Sequence, residues 1–282
     1  MQIIRSLGRM VKAAQSARRA GKTIGFVPTM GALHEGHLSL IRAARRAHDV
    51  VIVSIFVNPL QFGPREDYRR YPRPFRRDSA LAKRAGCDVI FAPTAAAMYP
   101  AGRRTIVDVT GLSEQLEGAA RPGHFRGVAT VVTKLFHLVQ PTTAYVGQKD
   151  YQQARLIQRL VEDLDLPLRV TVLPTVRERD GLAMSSRNVY LTAEQRWEAP
   201  VLARALRAAA AEIHRGTRRA STVRARFARA IAEAPHARLD RLDVVDASTL
   251  QPLTRLRGRV AILAAVRLGR TRLIDNILVA VP

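Results

Sequence analysis

The stretch Thr23-Ile-Gly-Phe-Val-Pro-Thr-Met-Gly-Ala-Leu-His-Glu-Gly-His-Leu38 joins a short apolar run to a helical pattern through a turn rich in glycine and histidine. Residues 23–28 read as a buried strand. From His37 the apolar residues Leu38, Ile41, Ala44 and Ala47 fall on one helical stripe. The next segment, VVIVSIFV at 50–57, is a near-continuous apolar run, as expected of a strand covered on both faces. Outward from there the alternation continues. A helical pattern spans 76–85, and strand-like DVIFA follows at 88–92. A helical period covers 127–138, a strand 143–146, a helix 151–164 and a strand 169–176. Strands alternating with helices predict a parallel, doubly wound sheet.

The pattern changes after Arg177. A polar loop, RERDGLAMSSRN, precedes Thr192, which with Gln195 three residues on forms a capping-box start. A long Ala/Arg-rich helix follows, broken or restarted near Pro200, then a second helix over 222–234. Strand-like segments at 242–245, 260–266 and 273–279 finish the chain. The expected organisation is therefore a Rossmann-like α/β domain over 1–176 and a smaller α+β domain over 177–282. The second would act as a lid that begins with the MSSR loop.

Composition narrows the function classes. The 282 residues carry 46 Lys+Arg against 23 Asp+Glu, a net charge of +23, and 47% are hydrophobic. Such a hydrophobic share excludes a disordered chain. No apolar run reaches the roughly 18 residues that a membrane span needs. The N-terminal segment is amphipathic without a continuous apolar signal core. Its arginines and lack of acids resemble a transit peptide, but strand-like sequence from Thr23 leaves little to cleave. The charge invites a nucleic-acid reading. However, only five of the basic residues are Lys, and the excess is spread along the chain without a basic tail or block. Pairs such as Arg69-Arg70 and Arg76-Arg77 read as solvated faces. The single cysteine, Cys87, excludes an intrachain disulfide and a CxxC metal site and fits a reducing cytoplasm. Cys87 and Trp197 both read as packing residues.

Three constellations carry chemistry. Met30-Gly31-Ala32-Leu33-His34-Glu35-Gly36-His37 sits where the first strand ends and the first helix begins, the usual ligand crevice of an open α/β sheet. Gly31 and Gly36 allow a close backbone approach. The helix N-terminus is expected to offer free N–H groups to phosphate, and the two imidazoles, three apart, share a face and can donate to phosphate oxygens. Against this, a histidine at a helix start is often only a cap. Met184-Ser185-Ser186-Arg187, in the loop after the last parallel strand, offers two hydroxyls and a guanidinium to phosphate; alone it would read as a serine-rich linker. Gly147-Gln148-Lys149-Asp150 closes one strand and opens a helix. Lys149 is a candidate phosphate contact. Asp150 is a candidate helix cap or a contact to Mg²⁺ or ribose.

The His motif between strand and helix, preceded by Pro-Thr-Met-Gly, is the signature of the nucleotidyltransferases related to class I aminoacyl-tRNA synthetases. The Met-Ser-Ser-Arg loop resembles their shortened K-M-S-K-S element. Further segments narrow this: Ser54-Ile-Phe-Val-Asn-Pro-Leu-Gln-Phe-Gly63, Tyr151-Gln-Gln153, the run from Val176 to Thr192, and Arg272-Leu-Ile-Asp-Asn-Ile277. In sequence and order, over nearly the whole chain, they resemble the pantoate–β-alanine ligase family.

The resemblance implies an ATP-dependent, two-step ligase that forms pantoyl adenylate and then pantothenate, AMP and pyrophosphate. By that pattern Met30 to His37 bind ATP, with His34 and His37 near the phosphates and His37 the proton donor. Gly147, Gln148, Lys149, Asp150, Val176, Met184, Ser185, Ser186 and Arg187 are the remaining nucleotide contacts. Lys149, Ser185, Ser186 and Arg187 join the two histidines in catalysis. Gln61 and Gln153 match the glutamine pair that holds pantoate, and Asn58 lies in the same pocket. Mg²⁺ accompanies ATP, held mostly by phosphate and water rather than by a protein metal site. The implied partners are pantoate, β-alanine and ATP, with no nucleic acid or membrane, in a cytoplasmic homodimer. Arg121-Pro-Gly-His-Phe-Arg-Gly127 fits the family's mobile loop, without a fixed catalytic role for Arg121 or His124. One departure stands out: the Arg-rich segment at 65–77 has Pro74 where Thr is common. Two rival readings are another small nucleotidyltransferase, which would retain AMP in its product, and an RNA-binding module, which would bind RNA with a steep salt dependence.

Overall fold

The computed structural model describes residues 1–64 and 66–282, so Arg65 of the Arg-rich segment lies outside the described residues. The chain forms two compact units: Met1–Gly147 with Gln152–Pro174, and Gln148–Tyr151 with Thr175–Pro282.

In the first unit the strands β1 (Gln2–Ile4), β2 (Ile24–Thr29), β3 (Val50–Ile55), β4 (Val89–Phe91), β5 (Thr143–Gly147) and β6 (Arg169–Leu173) make one sheet. Their order is β1-β4-β3-β2-β5-β6, and every pairing is parallel. The helices α1 (Leu7–Arg19), α2 (Glu35–Ala47), α3 (Phe75–Arg84), α4 (Ala95–Met98), α5 (Glu117–Ala120), α6 (His124–Val139) and α7 (Tyr151–Asp163) connect them.

The near-continuous apolar strands follow from burial on both faces. Alternate residues of a strand leave opposite sides of the sheet. Phe26, Ile52, Phe91 and Ala144 enter one core with residues of α1, α6 and α7. Their neighbours Val27, Val51, Val53, Ile90 and Tyr145 enter a second core with α2 and α3. That is the doubly wound arrangement expected from the alternation. β1 departs from the sequence reading, which placed the first strand at Thr23. Three residues pair with β4 at the sheet edge, too few to show a period ahead of the amphipathic α1.

In the second unit α8 (Ala193–Glu198), α9 (Val201–His214) and α10 (Ala220–Ile231) precede three antiparallel strands, β7 (Ala237–Asp246), β8 (Arg259–Leu268) and β9 (Thr271–Ala280), in that order. Thr192 and Gln195 form the expected capping box, and the helix restarts after Pro200. α9 and α10 pack Leu202, Leu206, Ile213, Val223 and Phe227 against Val260, Ile262 and Val266. Trp197 is corrected: it is 85% exposed and packs nothing away. It follows Arg196, whose salt bridges to Glu178 and Asp180 orient α8. Cys87 is buried, and burial pushes its thiol up to about 12.

Candidate active site

β3 and β4 follow β2 on one side of the sheet, and the chain then crosses back to place β5 on the other. The carboxyl ends of β2 and β5 therefore flank the topological switch point, where open α/β sheets bind ligands. The loop from Met30 to His34 leaves β2 at that point.

The loop is held by its own side chains and by a distant carboxylate. Gly31 (φ 84) and Ala32 (φ 51) are both left-handed. A Cβ on Gly31 would lie 3.0 Å from both Asp78 Oδ2 and Ile55 Cγ2, a tight contact added to the strain of the left-handed backbone. Gly31 N–H donates to Thr29 Oγ1 at 3.1 Å, and that hydroxyl donates to the Ser54 carbonyl at 2.7 Å. Ala32 N–H donates to Asp78 Oδ2 at 2.7 Å and Leu33 N–H to Asp78 Oδ1 at 2.8 Å. A left-handed alanine costs about 1 kcal/mol or more, and the carboxylate bonds hold it there.

His34 and His37 form a reciprocal capping box at the start of α2. His34 Nδ1 accepts the Gly36 N–H at 3.2 Å, and His37 Nδ1 accepts the His34 N–H at 3.4 Å. The ring centroids are 4.1 Å apart. An Nδ1 that accepts places the proton of a neutral imidazole on Nε2, so both rings carry their N–H on the same type of atom. Capping and phosphate donation are thus compatible, because they use opposite nitrogens.

The expectation of free amides at this helix start is corrected. His37 and Leu38 N–H both donate to the His34 carbonyl, at 2.8 and 3.1 Å. The amides of Gly31, His34 and Gly36 are also bonded locally, and those of Ala32 and Leu33 to Asp78. With these amides engaged, the imidazole N–H groups are the turn's candidate donors to an anion. Glu35, one of the expected nucleotide residues, is paired with Arg42 on the next turns, which holds its carboxyl below the usual range. Met30 and Gly31 line a cavity of about 290 Å³ with Phe56, Tyr68, Arg73 and Asp78.

Asp78, which sequence reading missed, braces the loop that leads to the histidines. It is fully buried in the first turn of α3, where Pro74 makes no side-chain cap bond. Burial pushes its carboxyl up, against the pull of the Leu33 and Ala32 N–H groups and of Arg77. Its signal was an acid in a helical first turn, with nothing local to say that its acceptors serve a loop 45 residues earlier.

Gln61 lies in a short 3₁₀ turn, Pro59–Gln61, beyond β3. Asn58 Nδ2 donates to Gln61 Oε1 at 3.0 Å and to the Gly127 carbonyl at 3.1 Å. Burial pushes the Tyr99 hydroxyl up; it stays protonated and donates to Asn58 Oδ1 at 2.7 Å. Asn58 and Gln61 are therefore brought together, both buried. Arg121 pairs with Glu66 through Nε and Nη2, at 2.7 and 2.5 Å. His124 Nδ1 lies 2.8 Å from the Gln61 carbonyl, and Arg121 Nη1 3.0 Å from His124 Nε2. An arginine only donates, so Nε2 accepts and Nδ1–H donates to Gln61. The segment expected to be mobile is tied to the glutamine turn in this way. Gln153 is half-buried in the first turn of α7.

In the second unit Gln148–Asp150 forms a 3₁₀ turn. Lys149 Nζ lies 3.5 Å from Asp150 Oδ1, and the Asp150 side chain is 48% exposed. The polar loop after 176 is a small hairpin. Arg177 bridges Ala183, and Met184 N–H donates to the Val176 carbonyl at 3.0 Å. Ser185 caps the 3₁₀ turn Ser186–Tyr190 by accepting the Arg187 N–H at 3.3 Å. Among the described residues no group of three or more His, Cys, Asp or Glu forms a metal cluster. No helix among them is long and apolar enough to cross a membrane.

Residues 2–278 match the model of the pantoate-beta-alanine ligase family. The chain is 54% identical over 281 residues to the pantothenate synthetase of Moorella thermoacetica, covering 100% of this chain and 99% of that one. The crystal structure of pantothenate synthetase from Thermus thermophilus superimposes with a TM-score of 0.93 at 48% identity, covering 98% and 99% of the two chains. That of a pantoate-beta-alanine ligase from Francisella tularensis, complexed with beta-gamma ATP and beta-alanine, gives a TM-score of 0.80 at 36% identity over 99% and 97%.

Proposed function

The chain belongs to the pantoate–β-alanine ligase family, and from that premise we propose that it condenses pantoate with β-alanine, converting ATP to AMP and pyrophosphate. The observation that carries the reading is the family match over residues 2–278. The imidazole pair at the switch point is the local feature that suits it.

In the first step a carboxylate oxygen of pantoate attacks the α-phosphorus of ATP, and the bond to the bridging oxygen breaks to release pyrophosphate. In the second the amine of β-alanine attacks the acyl carbon of the mixed anhydride. The carbon–oxygen bond breaks, AMP leaves with that oxygen, and the amine loses a proton.

We assign Met30 to His37 to ATP. The Nε2–H groups of His34 and His37 meet phosphate oxygens where negative charge builds, and His37 is the proton donor. Lys149, Ser185, Ser186 and Arg187 neutralise and hold phosphates. Gly147, Gln148, Asp150, Val176 and Met184 complete the nucleotide contacts. Gln61 and Gln153 hold pantoate. Neutral amides bond its hydroxyls and carboxylate without discharging the nucleophile, and the Asn58–Gln61 bond fixes one of them. Mg²⁺ would enter with ATP as part of the substrate, bound mainly by phosphate and water; Asp150 is the carboxylate that the assigned turn would supply. The reducing cytoplasm is the proposed compartment, the active form a homodimer, and the second domain a lid that begins with the MSSR loop.

Oxygen transfer tests the chemistry. With pantoate carrying ¹⁸O at both carboxylate oxygens, ATP and β-alanine, mass spectrometry is expected to find one ¹⁸O in each AMP. Label appearing in pyrophosphate or orthophosphate instead would rule out the adenylate route.

A further inference from the structure

Two consecutive residues of β9, Asp275 and Asn276, hold both second-unit segments assigned to the nucleotide. Successive side chains leave opposite faces of a strand, so the pair reaches two different targets. Asn276, 2% exposed, donates from one amide nitrogen to the carbonyls of Gln148 and Lys149, each at 2.9 Å. Its Oδ1 accepts from Gln148 Nε2 at 3.2 Å. Two bonds thus fix the backbone on either side of the Lys149 Cα, and the third ties in the Gln148 side chain. Asp275, 3% exposed, takes Arg177 in a two-point pair, Nη1 to Oδ2 at 2.6 Å and Nη2 to Oδ1 at 3.0 Å. Arg177 Nη1 also donates to the Gly181 carbonyl at 3.1 Å. That residue closes the hairpin whose other arm leads into Met184-Ser185-Ser186-Arg187. Asp275 Oδ1 further accepts the Asn276 N–H at 2.8 Å, so the two grips brace one another.

We propose that Asp275 and Asn276 are positioning residues for ATP. Asn276 sets the Lys149 turn, and Asp275, through Arg177, sets the hairpin that presents Met184 to Arg187. This rests on the ligase reading above. Neither residue touches substrate; each acts through the segment it holds. Placement matters because the adenylation step is mostly orientation and charge neutralisation.

The test is kinetic, on the full-length enzyme. Asn276→Ala removes the donors to Gln148 and Lys149. Asn276→Asp keeps the volume but turns an oxygen toward those carbonyls. Each is expected to lower kcat/KM for ATP by about tenfold or more, the equivalent of one to two lost hydrogen bonds, while the pantoate KM stays within about twofold. Lys149→Ala combined with Asn276→Ala is expected to be no worse than Lys149→Ala alone, because Asn276 works through Lys149. Multiplicative losses in the double variant, or equal losses for ATP and pantoate, would overturn the positioning role. So would two variants that both fail to melt cooperatively, which would assign the pair to stability. Absence of pantothenate formation by the unaltered enzyme would instead refute the ligase reading, so the two failures are distinguishable.

Discussion

Replacing Gly127 with alanine tests how the glutamine turn is supported. An added Cβ would lie 2.2 Å from the Leu60 carbonyl oxygen, 2.4 Å from its carbon and 2.7 Å from Gln61 N. All three are backbone atoms, so no flexible side-chain end can swing aside. Ordinary carbon–oxygen contacts are about 3.3 Å or longer, so the turn or α6 must retreat by about 1 Å. Overpacking of this kind costs about 1–3 kcal/mol. Stretching the buried Asn58 Nδ2 bond to the Gly127 carbonyl, now 3.1 Å, adds about 1 kcal/mol. A total of about 2–4 kcal/mol lowers the melting temperature by about 5–15 °C for a chain of this size. The same 1 Å shift would carry Gln61 away from the pantoate proposed for it, and displacements of that size cost up to about 10²-fold in rate. Thermal melting and AMP release against pantoate concentration read the two effects. Gly8→Ala, where an added Cβ meets nothing within 4 Å inside α1, is the control and should stabilise by about 0.5 kcal/mol. A Gly127→Ala enzyme with unchanged melting and an unchanged pantoate kcat/KM would refute the reasoning.

Other substitutions separate the remaining parts. His37→Ala should cut adenylation by about 10²-fold or more, about 2.7 kcal/mol of transition-state stabilisation; near-normal pyrophosphate release would contradict that. Asp78→Asn should weaken ATP binding and speed amide exchange at Ala32 and Leu33 by about tenfold or more, since one N–H would face an amide donor. The Asp78 carboxyl is raised in the folded state, so its contribution to stability is greatest at low pH and is lost as pH rises through the folded value. Asp78→Asn should abolish that component of the melting-versus-pH curve, and an identical curve would count against it. Glu66 shifts the other way. Burial raises its carboxyl, but the Arg121 bond and charge, with His124 and the Gly63 backbone, together outweigh this and leave it below its ordinary 4.5. Its stabilisation is present above 4.5 and fades as pH falls through the lowered folded value. Arg121→Ala should remove this acid-range dependence and leave the neutral-pH melt less stable; an unchanged acid limb would argue against the tether.

The parallel sheet was legible because its strands are buried on both faces, which leaves an apolar run such as Val50 to Ile55 with no polar face to disguise it. β1 was not, since three residues cannot display a period. The MSSR hairpin read as a polar loop because its pairing is one bridge, between Arg177 and Ala183. The two histidines were legible as a motif, but the cap they make was not, because the usual capping box uses Ser or Thr with Glu or Gln. Imidazole nitrogens replace both partners here. Once those bonds form, the amides of Gly31 to His34, Gly36 and His37 are already engaged, which no local sequence pattern shows. Asp78 and Asn276 act across 45 and more than 120 residues of chain, beyond the reach of any local pattern. The Arg-rich surface that dominates the composition takes little part: Arg69, Arg70, Arg76 and Arg77 are all exposed.

Release of AMP with each substrate withheld in turn tests the proposed ligase most directly. With MgATP, pantoate and β-alanine together, AMP and pyrophosphate should appear in equal amounts with pantothenate. With β-alanine withheld, about one equivalent of pyrophosphate per site and no turnover of AMP is expected. AMP formed steadily without β-alanine, or AMP retained in the product, would contradict it.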